Sequence, residues 1–256
     1  MRIEQTTAPG TVERPNEDWT GTAIPASGQG GTLVVLDGVT PPRGDDGCVH
    51  GVPWFTARLG GALLELSGSH RNLTLAEILS AGIARTAAAH AETCDLSHVR
   101  TPQATVVIAR WDAEEVEHLV LSDSALLLES PSGEVLPVLD DRLDRVPREA
   151  LRTAEATDET LRNKEGGFFT AAADPGVAAR AVTGRTPRAE VRALLALTDG
   201  ATRWTEVFGA GDWSELLGVV KKEGAEALVA RVRELEETGG HPGKRHDDAT
   251  VVWAEL

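Results

Sequence analysis

The chain has 256 residues, of which 41% are hydrophobic, and carries a net charge of −15. That apolar content excludes global disorder, and the length suits one large core. The acid excess argues against a nucleic-acid binder, because phosphate recognition needs a basic face. No apolar run reaches the roughly 18 residues of a membrane span, and Met1-Arg2-Ile3-Glu4-Gln5 lacks the basic-then-apolar order of a secretory leader. A cytoplasmic protein away from membranes is expected. Cys48 and Cys94 lie 46 residues apart with no C-x-x-C, which reads as two free thiols in a reducing compartment.

In chain order, residues 32–36 (Thr-Leu-Val-Val-Leu) form a short β-branched run that suits a strand buried on both faces. Residues 54–66 carry Phe55, Leu59, Leu63 and Leu66 on one helical stripe, and residues 74–94 carry Leu75, Ile78, Leu79, Ile83 and Ala87 on another. The second helix opens on Thr74-x-x-Glu77, a capping box. Strands are predicted over 104–111, 116–122 and 125–129, with a turn at Pro131-Ser132-Gly133-Glu134 into a strand over 135–138. Residues 139–190 are polar and poorly periodic, an irregular flap-like segment, although Asp174-Pro175-Gly176 has the form of a helix start. A strand over 191–198 follows. Asp212-x-x-Glu215 caps a helix from Trp213, residues 225–236 form an amphipathic helix, and the last strand covers 250–253. Helices in pairs between groups of strands do not alternate as β-α-β units. They predict an α+β fold with two mainly antiparallel sheets face to face and helix pairs outside.

The acids are informative because of where they sit. Asp37 follows Leu-Val-Val-Leu, Asp123 ends His-Leu-Val-Leu-Ser, Asp199 follows Leu-Leu-Ala-Leu-Thr, and Asp247 precedes Ala-Thr-Val-Val. A carboxylate at a strand tip is held rigidly yet reaches solvent, although Asp-Gly pairs also mark plain turns. If the tips converge, unit charges 4 Å apart repel by about 4 kcal/mol at an effective dielectric of 20. Such a group must take up protons or hold a divalent cation, and oxygen-only donors select Mg²⁺ or Mn²⁺. His50, His70, His90, His98, His118, His241 and His246 are dispersed. They are expected as surface or packing residues, with no His/Cys cluster of zinc spacing.

Six segments together resemble the metal-dependent Ser/Thr protein phosphatases of type 2C. They are Arg14-Pro15-Asn16-Glu17-Asp18, Val35-Leu36-Asp37-Gly38, Thr101-Pro102-Gln103-Ala104-Thr105, Leu121-Ser122-Asp123-Ser124, Leu197-Thr198-Asp199-Gly200 and Asp247-Asp248-Ala249-Thr250. They occur in the family's order and span nearly the whole chain. The resemblance implies a four-layer αββα sandwich as a single domain over residues 1–256. It implies Asp37 as the bridge between two Mn²⁺ or Mg²⁺ ions, with the Gly38 carbonyl on one of them. Asp199 and Asp247 would complete one ion, Glu17 would support the other, and Asp123 matches the acid that holds a third. Asp18 would be a hydrogen-bond partner behind the ligands. Arg14 would clamp the substrate phosphate, a task for which a planar guanidinium is suited.

The sequence departs from the family in three places. Asp37-Gly38-Val39-Thr40-Pro41 stands for Asp-Gly-x-Gly-Gly, so the third position holds no proton donor. Arg14 lies one residue nearer the Asn-Glu-Asp than the family pattern, with Glu13 in the expected place, and Ser122 replaces a usual glycine. The implied reaction is phosphomonoester hydrolysis by a metal-bridged water on phosphorylated proteins, by a monomer bound to neither nucleic acid nor membrane. The alternatives are a small phosphorylated substrate for the same fold, or a degenerate member that binds a regulatory partner. Retention of Glu17, Asp37, Asp199 and Asp247 weighs against degeneracy.

Overall fold

The computed structural model describes residues 1–42, 44–151, 153–238 and 245–256; His241 lies outside them. The strands are β1 (Arg2–Ala8), β2 (Trp19–Ala23), β3 (Gly31–Leu36), β4 (Val106–Trp111), β5 (Glu115–Leu121), β6 (Ala125–Glu129), β7 (Val135–Val138), β8 (Val182–Pro187), β9 (Ala193–Leu197) and β10 (Ala249–Glu255). The α-helices are α1 (Val52–Ser69), α2 (Leu75–Ala88), α3 (Ala154–Thr160), α4 (Asp199–Glu206), α5 (Trp213–Glu223) and α6 (Ala225–Glu237). One sheet has the order β1-β10-β9-β6-β7 and the other β2-β3-β4-β5-β8. All their pairings are antiparallel.

The period-2 pattern of the strands explains the four layers. In β3, Leu33 and Val35 face the other sheet and meet Leu126, Leu194, Ala196 and Val252. Val34 and Leu36 face outward and pack against Phe55, Leu59, Leu63 and Ile83 of α1 and α2. Leu195, Leu197, Val251 and Trp253 likewise turn outward to Leu216, Val220, Leu228 and Val232 of α5 and α6. Every residue of β3, β4, β6 and β9 is buried, as continuous apolar runs covered on both faces require.

The expected αββα sandwich is therefore present, with local differences. β1 and β2 were not expected, because RIEQTTA and WTGTA carry little apolar signal and are held as outer strands by β10 and β3. β8 lies inside the segment read as irregular; its burial alternates between half-buried and exposed along an outer strand paired with β5. α2 ends at Ala88, short of the expected Cys94. Asp199-Gly200 opens α4 where a turn was the simpler reading, so three helices cover that sheet where a pair was expected.

Register brings the acids to one end. Val106 pairs with Leu121, Ala125 with Leu197, Leu197 with Val251, and Ala8 with Ala249. The exits of β3, β5 and β9 and the entries of β4, β6 and β10 therefore share one edge of the sandwich.

Candidate metal centre and active site

Asp37 leaves β3 at that edge and is fixed through its backbone. Its N–H donates to Thr105 Oγ1 at 3.2 Å, and the Thr105 N–H donates to the Asp37 carbonyl at 2.9 Å. Thr105 Oγ1 also lies 2.6 Å from Ser124 Oγ. The Thr-Pro-Gln-Ala-Thr segment thus holds Asp37 through Thr105, and Ser124 of the Ser-Asp-Ser segment braces Thr105. Burial, reinforced by the charges of Asp199, Asp18 and Asp123 and by a hydrogen bond with Asp199, pushes the Asp37 carboxyl well above its ordinary value. Three acids far apart in sequence thus act on Asp37 at this point.

Asp18 lies beneath them. Burial raises its pKa to about 7; hydrogen bonds from Thr250 and Thr198 oppose the rise, and Asp248 and Asp247 add to it. The hydroxyls of Thr250 and Thr198 donate to Asp18 Oδ2 at 2.7 and 2.9 Å, while Oδ1 is buried without a hydrogen-bond partner. Such an orphaned oxygen amid acids is a place for a cation or water.

Two glycines bring the backbone close. A Cβ on Gly38 would stand 2.5 Å from the Glu17 carbonyl and 2.4 Å from Val52 Cγ1. A Cβ on Gly200 would stand 1.9 Å from the Asp248 carbonyl. Glycine in these two motifs is therefore a packing requirement.

Glu17, Arg14, Thr40 and Asp247 line a cavity of about 470 Å³. The Thr40 hydroxyl donates to Glu17 Oε2, and Arg14 is exposed. The cavity adds a second guanidinium residue, Arg245, which sequence reasoning did not single out. Asp248 has a different role from Asp247. Its carboxylate accepts the Gly10 N–H at 2.7 Å and the Glu17 N–H at 2.6 Å, fastening the segment that carries Arg14 and Glu17. Behind Asp247, the buried Glu236 receives Arg203 at 3.3 Å, Arg233 at 2.8 Å and His246 Nδ1 at 2.7 Å. Arg233 then donates to the Asp247 carbonyl at 2.7 Å. Glu236 reads in sequence as the tail of an amphipathic helix; only the packing of α6 on β10 reveals this support.

Asp123 and Asp199 border a second cavity of about 450 Å³ with Asp140, Asp144 and Glu206. Burial raises the Asp123 carboxyl, and Asp144 adds to the rise. Glu206 is raised by burial, with smaller contributions from Asp144 and Asp123. Ser122 has φ of 72°, the left-handed conformation that favours glycine, and its N–H donates to Asp140 Oδ2 at 2.9 Å. The sequence contained no periodic or motif signal for Asp144 or Glu206.

One expectation is corrected. Cys48, His50, His90 and Cys94 are not dispersed: their ligand atoms all lie within 4.8 Å of one another. α2 stops at Ala88, and the chain turns so that the Cys94 N–H reaches the His90 carbonyl at 3.0 Å. Side chains 46 residues apart then meet, with Cys48 Sγ 3.0 Å from Cys94 Sγ.

A comparison with protein families matches residues 11–238 to "Protein phosphatase 2C". The chain belongs to the protein phosphatase 2C family. It is therefore a phosphatase of the metal-dependent Ser/Thr class, with phosphoproteins as the substrate class. Among solved structures it resembles the Ser/Thr phosphatase Stp1 of Staphylococcus aureus at 16% identity and TM-score 0.62, covering 99% of this chain and 94% of that one. It also resembles the Mycobacterium tuberculosis Ser/Thr phosphatase PstP/Ppp at 19% identity and TM-score 0.62, covering 100% and 98%. The catalytic domain of PstP in complex with two manganese ions matches at 19% identity and TM-score 0.60, covering 99% and 97%. At these identities the structural likeness speaks for the fold. No curated protein sequence matches the chain. Among the described residues no helix is long and apolar enough to cross a membrane.

Proposed function

We propose that the chain hydrolyses phosphoserine or phosphothreonine esters of proteins, as a cytoplasmic monomer, with Asp37 bridging two Mn²⁺ or Mg²⁺ ions. The observation that carries this reading is the convergence of Asp199, Asp18 and Asp123 on the buried Asp37 at one strand-end site, where burial and then their charges raise the Asp37 carboxyl. The donors fit hard cations: they are carboxylate oxygens, and Asp18 Oδ1 has no partner of its own. Asp37, the Gly38 carbonyl, Asp199, Asp247 and Glu17 would hold the pair, and Asp123 a third ion. When bound, the ions would supply charge neutralisation and a water nucleophilic at neutral pH.

The chain's own residues perform the remaining tasks. Thr105, braced by Ser124, fixes the Asp37 backbone, so its carboxylate is presented without reorganisation. Thr40 orients Glu17. Arg14, exposed on a cavity that also includes Asp247, binds and orients the phosphoryl oxygens. Val39 offers no proton, so the leaving alkoxide must be protonated by solvent. Hydrolysis should therefore favour good leaving groups.

The test is release of phosphate from p-nitrophenyl phosphate and from a phosphothreonine peptide, with Mn²⁺, Mg²⁺ or EDTA. Hydrolysis of both with either cation, lost in EDTA, is expected. Wild-type protein inert with both cations overturns the reading, and turnover confined to small phosphate esters would replace its substrate class.

A further inference from the structure

We propose that Cys48, His50, His90 and Cys94 form a structural Zn²⁺ site, separate from the phosphatase centre, that ties the loop following Asp37-Gly38 to the C-terminal end of α2. Cys48 Sγ lies 3.8 Å from His50 Nδ1, 3.6 Å from His90 Nδ1 and 3.0 Å from Cys94 Sγ, and His50 Nδ1 lies 3.3 Å from Cys94 Sγ. Zn–S and Zn–N bonds of about 2.3 and 2.1 Å give a tetrahedron with edges of roughly 3.3–3.8 Å. The three sulfur–nitrogen edges fall within this range, and the sulfur pair must open from 3.0 Å to about 3.8 Å. Two thiolates and two imidazoles select zinc over the hard cations of the carboxylate centre. Four protein ligands leave no open position, which marks a structural rather than catalytic site.

The surroundings hold these ligands in place. Consecutive turns, in which the Gly47 and Cys48 N–H groups donate to Asp45 Oδ1 and Asp46 Oδ1 at 2.9 Å, fold the loop back. Gly47 has φ of 74°, and a Cβ there would meet His98 Cβ at 2.7 Å. The Asp95 N–H donates to the Gly47 carbonyl at 2.8 Å, joining the two ligand-bearing segments. His50 stacks on Trp54 with centroids 4.1 Å apart, which fixes its ring. His90 is 2% exposed, and its Nε2 is buried without a hydrogen-bond partner. Its Nδ1 is thus the ring's polar outlet, and it faces the thiols.

The loop needs such a tie. Residues 44–51 form neither helix nor strand, and Val49 is 76% exposed. A metal can supply the cohesion that an apolar core does not. Binding displaces the two thiol protons to solvent, forms two Zn–S and two Zn–N bonds, and changes no oxidation state.

The experiment uses the full chain, free of any affinity tag, supplied with Zn²⁺ under reducing conditions, desalted, and assayed for metal by mass spectrometry. Wild type and Asp37→Asn should each retain one zinc per chain; the double variant Cys48→Ala/Cys94→Ala should retain less than a tenth of that. If the double variant does not fold, Co²⁺ exchanged into wild type decides the matter: near-ultraviolet thiolate-to-cobalt charge transfer and visible tetrahedral bands are expected. A wild type that holds no zinc, or a Co²⁺ form without the thiolate band, overturns the proposal. So does zinc retained unchanged in the folded double variant, or recovery of Cys48 and Cys94 as a zinc-refractory disulfide. None of these readouts depends on phosphatase activity.

Discussion

The strand-end carboxylates and the Cys48–His50–His90–Cys94 group are both suited to metal, yet they are built in opposite ways. The carboxylates sit at the ends of buried strands, so rigid sheet register places them, and burial with neighbouring charge raises Asp37. The thiol and imidazole group sits on loop and turn, placed by local hydrogen bonds, in a region with little apolar cohesion. The first arrangement suits chemistry, in which ligands must not move; the second suits stapling, in which the metal itself supplies order.

Substitutions can separate the two. The largest effect should come from Asp37→Asn, which removes the carboxylate proposed to bridge the two ions. Mn²⁺-dependent hydrolysis of p-nitrophenyl phosphate should fall at least about 10³-fold, about 4 kcal/mol of transition-state stabilisation, with zinc content unchanged. Loss of zinc in that variant would show that the two regions are one. Next, Cys48→Ala/Cys94→Ala should lower Tm by roughly 10 °C, the size of a ligand bound about a thousandfold above its Kd. With saturating Mn²⁺ it should lower kcat less than tenfold, and a larger fall would mean that the loop sets the Asp37 geometry directly.

Smaller effects probe the supports of the carboxylates. Gly200→Ala drives a Cβ into the Asp248 carbonyl and should destabilise the fold by about 2–3 kcal/mol in urea titration. An unchanged midpoint would show that α4 can shift. Asp248→Asn removes the charge that accepts the Gly10 and Glu17 N–H groups; a loss of about 1–2 kcal/mol and weaker Mn²⁺ activation are expected, read from melting and a Mn²⁺ titration. The smallest effect lies away from both regions. Burial holds the pKa of His118 in β5 below its ordinary 6.5. The unfolded chain takes a proton that the folded chain refuses, so this contribution is complete above pH 6.5 and is lost as pH falls below it. His118→Phe should flatten the difference in stability between pH 7 and 5.5; equal slopes in both proteins would refute the assignment.

Much of this was legible because it was written in runs and motifs. The buried strands and amphipathic helices were visible, since an element covered on both faces must be apolar throughout. β1, β2 and β8 were not, because outer strands with few apolar residues carry a weak period-2 signal. Asp37, Asp123, Asp199 and Asp247 stood out by their positions beside apolar strands. Asp144, Glu206, Glu236 and Arg245 had no such flag, as their neighbours come from other elements.

The amino-acid order alone determined the layered fold, the strand-end acids and the family, because periodicity and short motifs are local properties of the chain. Which groups share a site was decided only by tertiary structure. Register carried Asp18 beneath Asp37, and the early stop of α2 brought His90 and Cys94 to Cys48 and His50. Proximity across 46 residues is fixed by the path of the backbone, and no local pattern records it.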